Sequence, residues 1–362
     1  MKLAIDCRMI DSSGIGTYIA QLVPYFLKKY PCLLLGTHEQ CMPYVRMENV
    51  EFCYCPVKPF SLQEMFHFPQ DILAAINNCD VYYTPYCNIP GGITIPIIST
   101  IHDVVFLDLK NLTSFAGRMA RKIIYQRAVN LSSSLVTVSE FSKSRILANL
   151  HCKKTVTVAY SSVPDWMKAA QRDRPATEKT DTILFVGNIK QHKGLSVLLK
   201  AFMAARAEGL SAAKLVIVGN ADNFRTGDTK TTEQINALPE DAVRFTGKIT
   251  DQELLELYWQ AKLFVLPSFY EGFGLPPLEA LTCGTNVILS DLPVFHEVYQ
   301  NFPVTYFETG NAEDLKVKLL SAYNLPSPAT VPDTYSFKKT AAILLQLFET
   351  AAAGSASASV RS

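Results

Sequence analysis

The chain has 362 residues, of which 48% are hydrophobic and 19% are charged, and its formal net charge is +1. This length favours two domains and this composition favours a folded chain. The balanced charge gives no reason to expect a nucleic-acid partner, which usually requires a basic face. The nine cysteines form no C-x-x-C pair, so neither a zinc knuckle nor a redox dithiol is expected, and a reducing, cytoplasmic location is favoured. No apolar run has the length of a signal-peptide core or a membrane span.

The first half alternates short apolar runs with amphipathic segments. The runs are apolar along their whole length, which is typical of strands buried on both faces of a parallel sheet. Strands are predicted at Leu3–Asp6, Cys32–Leu35, Val50–Tyr54, Val81–Thr84, Ile97–Ile101, Leu135–Val138 and Val156–Val158, with helices at Ile15–Leu27, Leu62–Ile76, Ser114–Asn130 and Glu140–Leu150.

A polar segment containing Pro175 interrupts this alternation, and it predicts a linker or hinge over residues 166–181. The alternation then restarts, with strands predicted at Thr182–Val186, Lys214–Val218, Val243–Phe245, Lys262–Leu266, Asn286–Leu289 and Val304–Phe307, and helices at 194–206, 251–260, 276–282 and 312–323. Strand–helix alternation on both sides of a linker predicts the α/β class, with two doubly wound Rossmann-like domains, 1–165 and 182–335, that face a cleft. A helix over 336–352 is expected to pack back on the first domain, and the low-complexity tail 353–362 is expected to be disordered.

The stretch "SFYEGFGLPPLEALTCG" (Ser268–Gly284) begins at the end of a predicted strand and enters a helix. In parallel sheets, ligands bind at the carboxyl ends of strands. The backbone amides of Phe273, Gly274 and Leu275 are expected at a helix start, where they can bind an anion or a hydroxyl. Glu271 and Glu279 would add two carboxylate acceptors. Alternatively, Glu279 only complements the helix dipole and Glu271 is loop surface.

Other polar residues also follow predicted strands. "GNIKQHKG" places Lys193 in such a loop, where it can reach a phosphate or be an ordinary solvated lysine. "DSSGIGTYI" lacks the G-x-G-x-x-G pattern, yet Gly14 and Gly16 would allow a ligand close to the backbone, unless they serve only the turn. His102 is expected to point from its strand end into the cleft, or else to be a structural histidine oriented by Asp103. Ser139 could contact ligand or cap a helix.

The helix "SFAGRMARKIIYQRAVN" (114–130) carries four basic residues, Arg118, Arg121, Lys122 and Arg127. Its apolar residues, including Met119 and Ile123, are expected to face the core. The basic face could contact an anionic membrane or a lipid-pyrophosphate acceptor, or it could simply be solvated. Peripheral attachment to the inner face of the cytoplasmic membrane therefore stays open.

The sequence "EGFGLPPLEA" (271–280) resembles the glutamate-x7-glutamate signature of the GT4 family of retaining glycosyltransferases, which have the GT-B fold. Further motifs occur in the family's order over roughly residues 1–350: "SSGIGTY" (12–18), "TIHD" (100–103), "VTVSEFSKS" (136–144), "FVGNIKQHKGLSVLLKAF" (185–202) and "SDLPVFHEV" (290–298). The resemblance implies a retaining, metal-independent hexosyltransferase without a cofactor. Its donor would be a nucleoside-diphosphate sugar and its acceptor a glycan or lipid-linked glycan, as in bacterial surface-polysaccharide synthesis.

The resemblance also implies roles for individual residues. Glu279 would bind the ribose hydroxyls of the donor, Glu271 the hydroxyls of the transferred sugar, and the amides of Phe273, Gly274 and Leu275 the sugar and phosphates. Lys193 would neutralise the pyrophosphate and His102 would contact the sugar, so His102, Lys193 and Glu271 are the predicted catalytic residues.

The chain departs from the family at the second pyrophosphate cation, because Asn188 and His192 stand where many relatives have an arginine. Lys190 is the candidate replacement. A covalent carboxylate intermediate, a sugar-nucleotide epimerase, a phosphorylase and an inactive GT-B scaffold stay open as alternatives.

Overall fold

The computed structural model describes residues 1–174, 177–219, 242–328 and 331–359. The chain forms two units, one made of Met1–Pro164 with Tyr335–Ser362, and the other of Asp165–Thr334. Each unit is built on a parallel sheet covered by helices, so the prediction of two Rossmann-like α/β domains is confirmed.

The first sheet has seven parallel strands in the order β3-β2-β1-β4-β5-β6-β7. Every strand lies within one residue of its predicted bounds, and the inner strands β2, β1, β4 and β5 are fully buried, as expected for apolar runs in a parallel sheet. Chain order reverses between β1 and β4, which both pair with their neighbours in parallel register. The strands are β1 (Leu3–Asp6), β2 (Cys32–Gly36), β3 (Val50–Tyr54), β4 (Val81–Thr84), β5 (Ile97–Thr100), β6 (Ser134–Thr137) and β7 (Val156–Val158).

The helices that alternate with these strands are α1 (Ser13–Leu27), α2 (His38–Cys41), α3 (Leu62–Phe66), α4 (Gln70–Asn77), α5 (Val105–Asp108), α6 (Phe115–Leu131) and α7 (Glu140–Asn149). The single helix predicted over Leu62–Ile76 is wrong, since α3 and α4 are separate. Pro69 precedes α4 and supplies no N–H, so it ends one helix and opens the next. The one-turn helix α2 was not predicted, and its start is fixed by a capping box between Thr37 and Gln40.

The second sheet has six strands among the described residues, all parallel, in the order β10-β9-β8-β11-β12-β13. They are β8 (Thr180–Val186), β9 (Lys214–Val218), β10 (Val243–Gly247), β11 (Ala261–Leu266), β12 (Asn286–Ser290) and β13 (Val304–Phe307). The described helices of this unit are α8 (Asp165–Arg172), α9 (Leu195–Glu208), α10 (Asp251–Gln260), α11 (Leu275–Thr282), α12 (Pro293–Val298) and α13 (Ala312–Ala322). Chain order reverses between β8 and β11.

The segment expected to be an irregular linker, 166–181, instead contains most of α8 and the start of β8. Met167 of α8 is buried, and Gln171 accepts a hydrogen bond from the Trp259 indole at 2.8 Å. The sequence does not predict α8 because the segment is polar apart from a few residues such as Met167. Pro175 and Ala176 lie outside the described residues.

The C-terminal helix α14 (Phe337–Ser359) belongs to the first unit. Phe348 packs against Phe26 and Tyr83 with ring centroids 5.2 and 5.4 Å apart. The tail expected to be disordered from residue 353 is helical up to Ser359, because its alanines continue the helix at little cost. Residues 360–362 lie outside the described part. Within the described ranges, no helix combines the length and the apolar character needed to cross a bilayer.

Candidate active site

The loops that follow β8 and β11 meet where chain order reverses in the second sheet, which is where open parallel sheets bind ligands. Lys193, after β8, donates to Glu271, after β11, with 2.6 Å between Nζ and Oε1. Both side chains are largely buried. Ser268 also donates to Glu271 Oε1, at 2.7 Å. The structure thus brings two residues predicted separately into one ion pair.

The backbone holds these two loops together. The Phe269 amide donates to the His192 carbonyl at 2.7 Å. Gly194 has φ +67°, and a Cβ there would lie 1.9 Å from the Pro267 carbonyl oxygen, so only glycine permits this approach. His192, interpreted from the sequence as a loop residue, is buried, and burial next to Lys193 lowers the pKa of its imidazole to about 4. Lys193 is therefore the cation of this turn that faces Glu271.

The start of α11 is also fixed by close packing. Gly274 is its N-cap with φ +82°, and a Cβ there would lie 2.6 Å from the Phe295 ring. The Tyr299 hydroxyl donates to the Gly274 carbonyl. Phe273 is buried. The Leu275 amide lies in the first turn, where helix N–H groups have no partner within the helix and can bind an anion.

Glu279 lies one turn into α11 with only 8% of its surface exposed. Its Oε2 accepts a hydrogen bond from the Tyr258 hydroxyl at 2.8 Å. Burial raises the pKa of the Glu279 carboxyl to about 7, and the Tyr258 hydrogen bond opposes that rise. Glu279 therefore exists in both protonation states near neutral pH, and a ligand hydroxyl that bonds to the carboxylate would favour the ionised one.

Asn188 and Lys190 lie in the loop after β8, and both side chains are exposed. The Lys193 amide donates to the Lys190 carbonyl at 2.9 Å, so the two lysines share one tight turn. In the described ranges, no three His, Cys, Asp or Glu side chains gather as they would around a metal ion.

In the first unit, His102 follows β5 and is partly buried. Its Nε2 lies 2.8 Å from the Pro85 carbonyl oxygen, and its ring meets the Tyr18 ring edge-on with centroids 5.0 Å apart. A carbonyl only accepts, so Nε2 carries the proton and Nδ1 is an acceptor. Burial lowers the pKa of His102 to about 4, so the ring is neutral at pH 7.

The other residues predicted in the first unit have local structural contacts. Gly14 and Gly16 lie in the first turn of α1; a Cβ at Gly16 would lie 2.1 Å from the Ile10 carbonyl oxygen, whereas one at Gly14 would meet nothing within 4 Å. Asp103 accepts from the Val105 amide at 3.0 Å. Ser139 is the N-cap of α7 and accepts from the Ser142 amide at 3.0 Å.

A buried ionic cluster at the carboxyl end of β1 has no counterpart in the sequence predictions. Arg8 binds the Asp6 carboxylate through two nitrogens, at 2.9 and 2.6 Å, and Glu64 at 2.6 Å. All three side chains are buried. Burial raises the pKa of Glu64 to about 7, while Arg8 opposes the rise. Glu64 also accepts from the Phe60 amide at 2.8 Å, so the cluster fixes the loop between β3 and α3.

Helix α6 differs from the prediction in how its side chains are disposed. Met119 and Ile123, expected in the core, are exposed. Arg127 turns inward and donates to the Ile89 carbonyl at 2.5 Å, and Arg121 lies 3.9 Å from the centre of the Phe106 ring. The sequence shows this helix to be amphipathic but does not reveal which of its residues meet the sheet.

Residues 167–339 match the family model "Glycosyl transferases group 1", which covers just under half of the chain. The chain is 28% identical to O-antigen chain mannosyltransferase B of Escherichia coli over 60% of its own length and 58% of that protein. It is also 28% identical to O-antigen chain mannosyltransferase RfbU of Salmonella typhimurium, over 58% and 57% of the two chains. The matches thus span less than two thirds of these curated relatives.

Solved structures resemble the whole chain. HepE of Anabaena, crystallised with UDP and glucose, aligns over 100% of both chains with a TM-score of 0.65 at 16% identity. WaaG, a glycosyltransferase involved in lipopolysaccharide biosynthesis, aligns over 90% of this chain and 91% of its own with a TM-score of 0.65 at 15% identity. These likenesses show a common fold, the GT-B type with two Rossmann-like domains.

Proposed function

We propose that this chain, whose residues 167–339 match the family model "Glycosyl transferases group 1", transfers a sugar from a nucleoside-diphosphate sugar to a hydroxyl of a glycan or lipid-linked glycan. The observation that carries the proposal is the Lys193–Glu271 pair at the switch point of the second sheet. A cation and a carboxylate side by side match a ligand that has a diphosphate next to a polyol.

Each part of the donor has a chemically suited partner. Lys193 and the amides of Phe273, Gly274 and Leu275 bind the diphosphate, since a helix start and an ammonium group both favour anions. Glu271 accepts hydrogen bonds from the transferred sugar. Glu279 accepts from the ribose hydroxyls, and donor binding then holds it ionised despite its raised pKa.

The reaction retains the configuration of the anomeric carbon. The bond between that carbon and the phosphate oxygen breaks, and its electron pair stays on the leaving diphosphate. The acceptor oxygen bonds to the carbon from the same face, and its proton passes to the leaving phosphate oxygen. Lys193 stabilises the charge that develops on this oxygen. Neutral His102 offers Nδ1 as an acceptor to a sugar hydroxyl, and with a pKa of about 4 it acts as an orienting group rather than an acid.

The transferred sugar is proposed to be mannose, with GDP-mannose as donor. Support comes from the relatives with mannosyltransferase names, including the serotype-specific WbdA of Escherichia coli, which is 34% identical over 32% of this chain. The O-antigen names of two relatives support a role in the synthesis of a bacterial surface polysaccharide.

The reaction is proposed to need neither a metal nor a cofactor, since Lys193 and the α11 amides supply the positive potential at the diphosphate. Turnover should then be the same in EDTA as in Mg²⁺. A fall of tenfold or more in EDTA that added Mg²⁺ reverses would contradict this.

A thermal-shift panel of GDP-, UDP-, ADP- and TDP-sugars tests the proposal. Each nucleotide sugar is added at about 0.1 mM, which is about a hundred times a Kd of about 1 μM. GDP-mannose should raise the melting temperature by a few degrees. Lys193→Met should lose that shift, whereas Lys200→Met, an exposed lysine of α9, should keep it. If no nucleotide sugar shifts the native protein, the proposed function is wrong. Turnover that depends on added phosphate, or an epimerised sugar formed without acceptor, would favour the phosphorylase or the epimerase instead.

A further inference from the structure

Helix α6 carries a row of exposed apolar side chains on its outer face. Phe115, Met119 and Ile123 are 68%, 45% and 63% exposed. Their spacing of four residues places them on one side of the helix, one turn after another. A soluble helix normally buries such a row, so this one is available to a partner.

A second pair of exposed apolar residues lies on α3. Leu62 and Phe66 are 70% and 69% exposed and are also four residues apart. Both helices are anchored to the segment 89–91. The Gly91 amide donates to the Glu64 carbonyl of α3 at 3.0 Å, and Arg127 of α6 donates to the Ile89 carbonyl. The two rows therefore belong to helices that contact the same segment of the first unit.

The charge around α6 has a single sign. Between residues 109 and 139 there is no Asp or Glu, and five basic residues occur: Lys110, Arg118, Arg121, Lys122 and Arg127. Lys110 and Lys122 are exposed and Arg118 is partly exposed, whereas Arg127 points inward. The carboxylate of α3, Glu64, is buried against Arg8. The outward charge beside the apolar row is thus basic.

We propose that this surface, formed by Phe115, Met119 and Ile123 of α6 with Leu62 and Phe66 of α3 and flanked by Arg118 and Lys122, binds an anionic phospholipid bilayer. The apolar side chains enter the boundary between headgroups and acyl chains, and the basic groups face lipid phosphates. A depression of about 360 Å³, lined by Ile123, Gln126, Arg127, Asn130 and Leu131, opens beside the row and can seat part of a lipid.

Charge decides between a bilayer and a second copy of the chain. A symmetric dimer through this surface would set two basic helices against each other, with no carboxylate in residues 109–139 to balance them, and that repulsion is unfavourable. An anionic bilayer gains from the same charges. The inference does not depend on the proposed sugar transfer, because binding to lipid is measured without a nucleotide sugar.

The test is flotation of the full chain with vesicles of phosphatidylcholine alone or with about 30% phosphatidylglycerol, at low and at high salt. Native protein should float with the anionic vesicles at low salt. Its affinity for these vesicles should be about tenfold lower at 0.5 M salt than at low salt. Phe115→Ser combined with Met119→Ser and Ile123→Ser should bind at least about tenfold less. Arg118→Gln with Lys122→Gln should bind about thirtyfold less, given the usual contribution of each basic residue near an anionic surface.

Matched controls distinguish the loss of this particular surface from a general effect of removing exposed apolar or basic groups. Leu147→Ser removes an exposed apolar residue of α7, which is 46% exposed, and Lys28→Gln with Lys200→Gln removes two exposed charges elsewhere. Both controls should float like the native protein. Met119→Trp gives a second readout, since its fluorescence should shift to the blue with anionic vesicles while that of Leu147→Trp does not.

Three results would overturn the proposal. Native protein that stays in the bottom fraction with anionic vesicles at low salt excludes bilayer binding. A triple serine variant that floats like the native protein excludes this surface. A native chain that is a dimer in sedimentation, becomes monomeric in the triple serine variant and does not float shows instead that the surface joins two copies.

Discussion

Replacement of Glu271 by glutamine separates binding of the diphosphate from transfer of the sugar. The variant keeps the size of the side chain and its hydrogen bond from Ser268, but it removes the negative charge 2.6 Å from Lys193. The proposed site therefore predicts that a diphosphate binds the variant more tightly than the native protein.

The magnitude follows from Coulomb's law. With an effective dielectric constant of about 20, a phosphate charge about 4 Å from Lys193 Nζ gains about 4 kcal/mol, and the same charge about 6 Å from the Glu271 carboxylate loses about 3 kcal/mol. Solvent reaches both side chains, which are 21% and 11% exposed, so only part of that repulsion is recovered. We expect GDP or UDP to bind Glu271→Gln about three- to tenfold more tightly. Turnover should fall at least about a hundredfold, because the carboxylate acts on the sugar in the transition state.

Isothermal titration calorimetry with GDP and UDP measures the first effect, and steady-state kinetics with the stabilising nucleotide sugar measures the second. Glu256→Gln, an exposed glutamate of α10, is the matched control and should change neither. Diphosphate binding that weakens tenfold in Glu271→Gln would mean that Glu271 serves to hold Lys193 in place. Normal turnover in that variant would remove Glu271 from the catalytic site.

Three further predictions concern the Tyr258–Glu279 hydrogen bond, the close backbone packing at Gly194 and the buried ion pairs of Arg8. Tyr258→Phe removes a hydrogen bond that lowers the pKa of Glu279, so the rise in kcat/KM for the donor near pH 7 should move to higher pH; superimposable pH profiles would refute this. Gly194→Ala should lower stability by more than about 2 kcal/mol, because its Cβ would lie 1.9 Å from the Pro267 oxygen, whereas Gly14→Ala should not; equal melting temperatures would count against it. Arg8→Met should cost about 3–5 kcal/mol, with a smaller loss in urea unfolding at pH 5.5 than at pH 8, since the folded-state pKa of Glu64 is about 7 and the carboxyl is protonated at the lower pH; a loss that does not change with pH would contradict the assignment.

The inner strands could be predicted because burial on both faces of a parallel sheet leaves an apolar run, and the thirteen strands of the described residues all overlap predicted ones. The edge strands β3 and β10 are less buried and contain Glu51 and Arg244. The bounds of the helices were harder to predict than those of the strands. The apolar periodicity over Leu62–Ile76 continues through Pro69. The helix is nevertheless interrupted there, because proline has no backbone N–H to donate. A regular apolar pattern alone therefore does not show that a helix is uninterrupted.

The candidate site could be predicted in its residues and not in its contacts. Lys193 and Glu271 both follow strands, so a common sheet edge was expected for them. Their ion pair depends on β8 lying beside β11, and strand order is not written in the local sequence. Tyr258 reaches Glu279 from another helix, and nothing marks its hydroxyl among the apolar positions of α10.

The sequence also did not show whether the apolar face of an amphipathic helix is buried in the core or exposed at the surface. Met119 and Ile123 have the spacing of core residues, and the same spacing produces a surface that contacts a partner. Arg8 is the opposite case, a charged residue that is buried. It is paired there with the carboxylates of Asp6 and of Glu64 in α3. Only the packed structure distinguishes these cases.

Proton NMR of the first sugar product tests the central claim most directly. With GDP-mannose as donor, the account predicts that native protein releases GDP and that the new anomeric proton signal has the α configuration of the donor, while Glu271→Gln gives neither. A product of inverted configuration, equal activity in Glu271→Gln, or no consumption of any nucleotide sugar would contradict it.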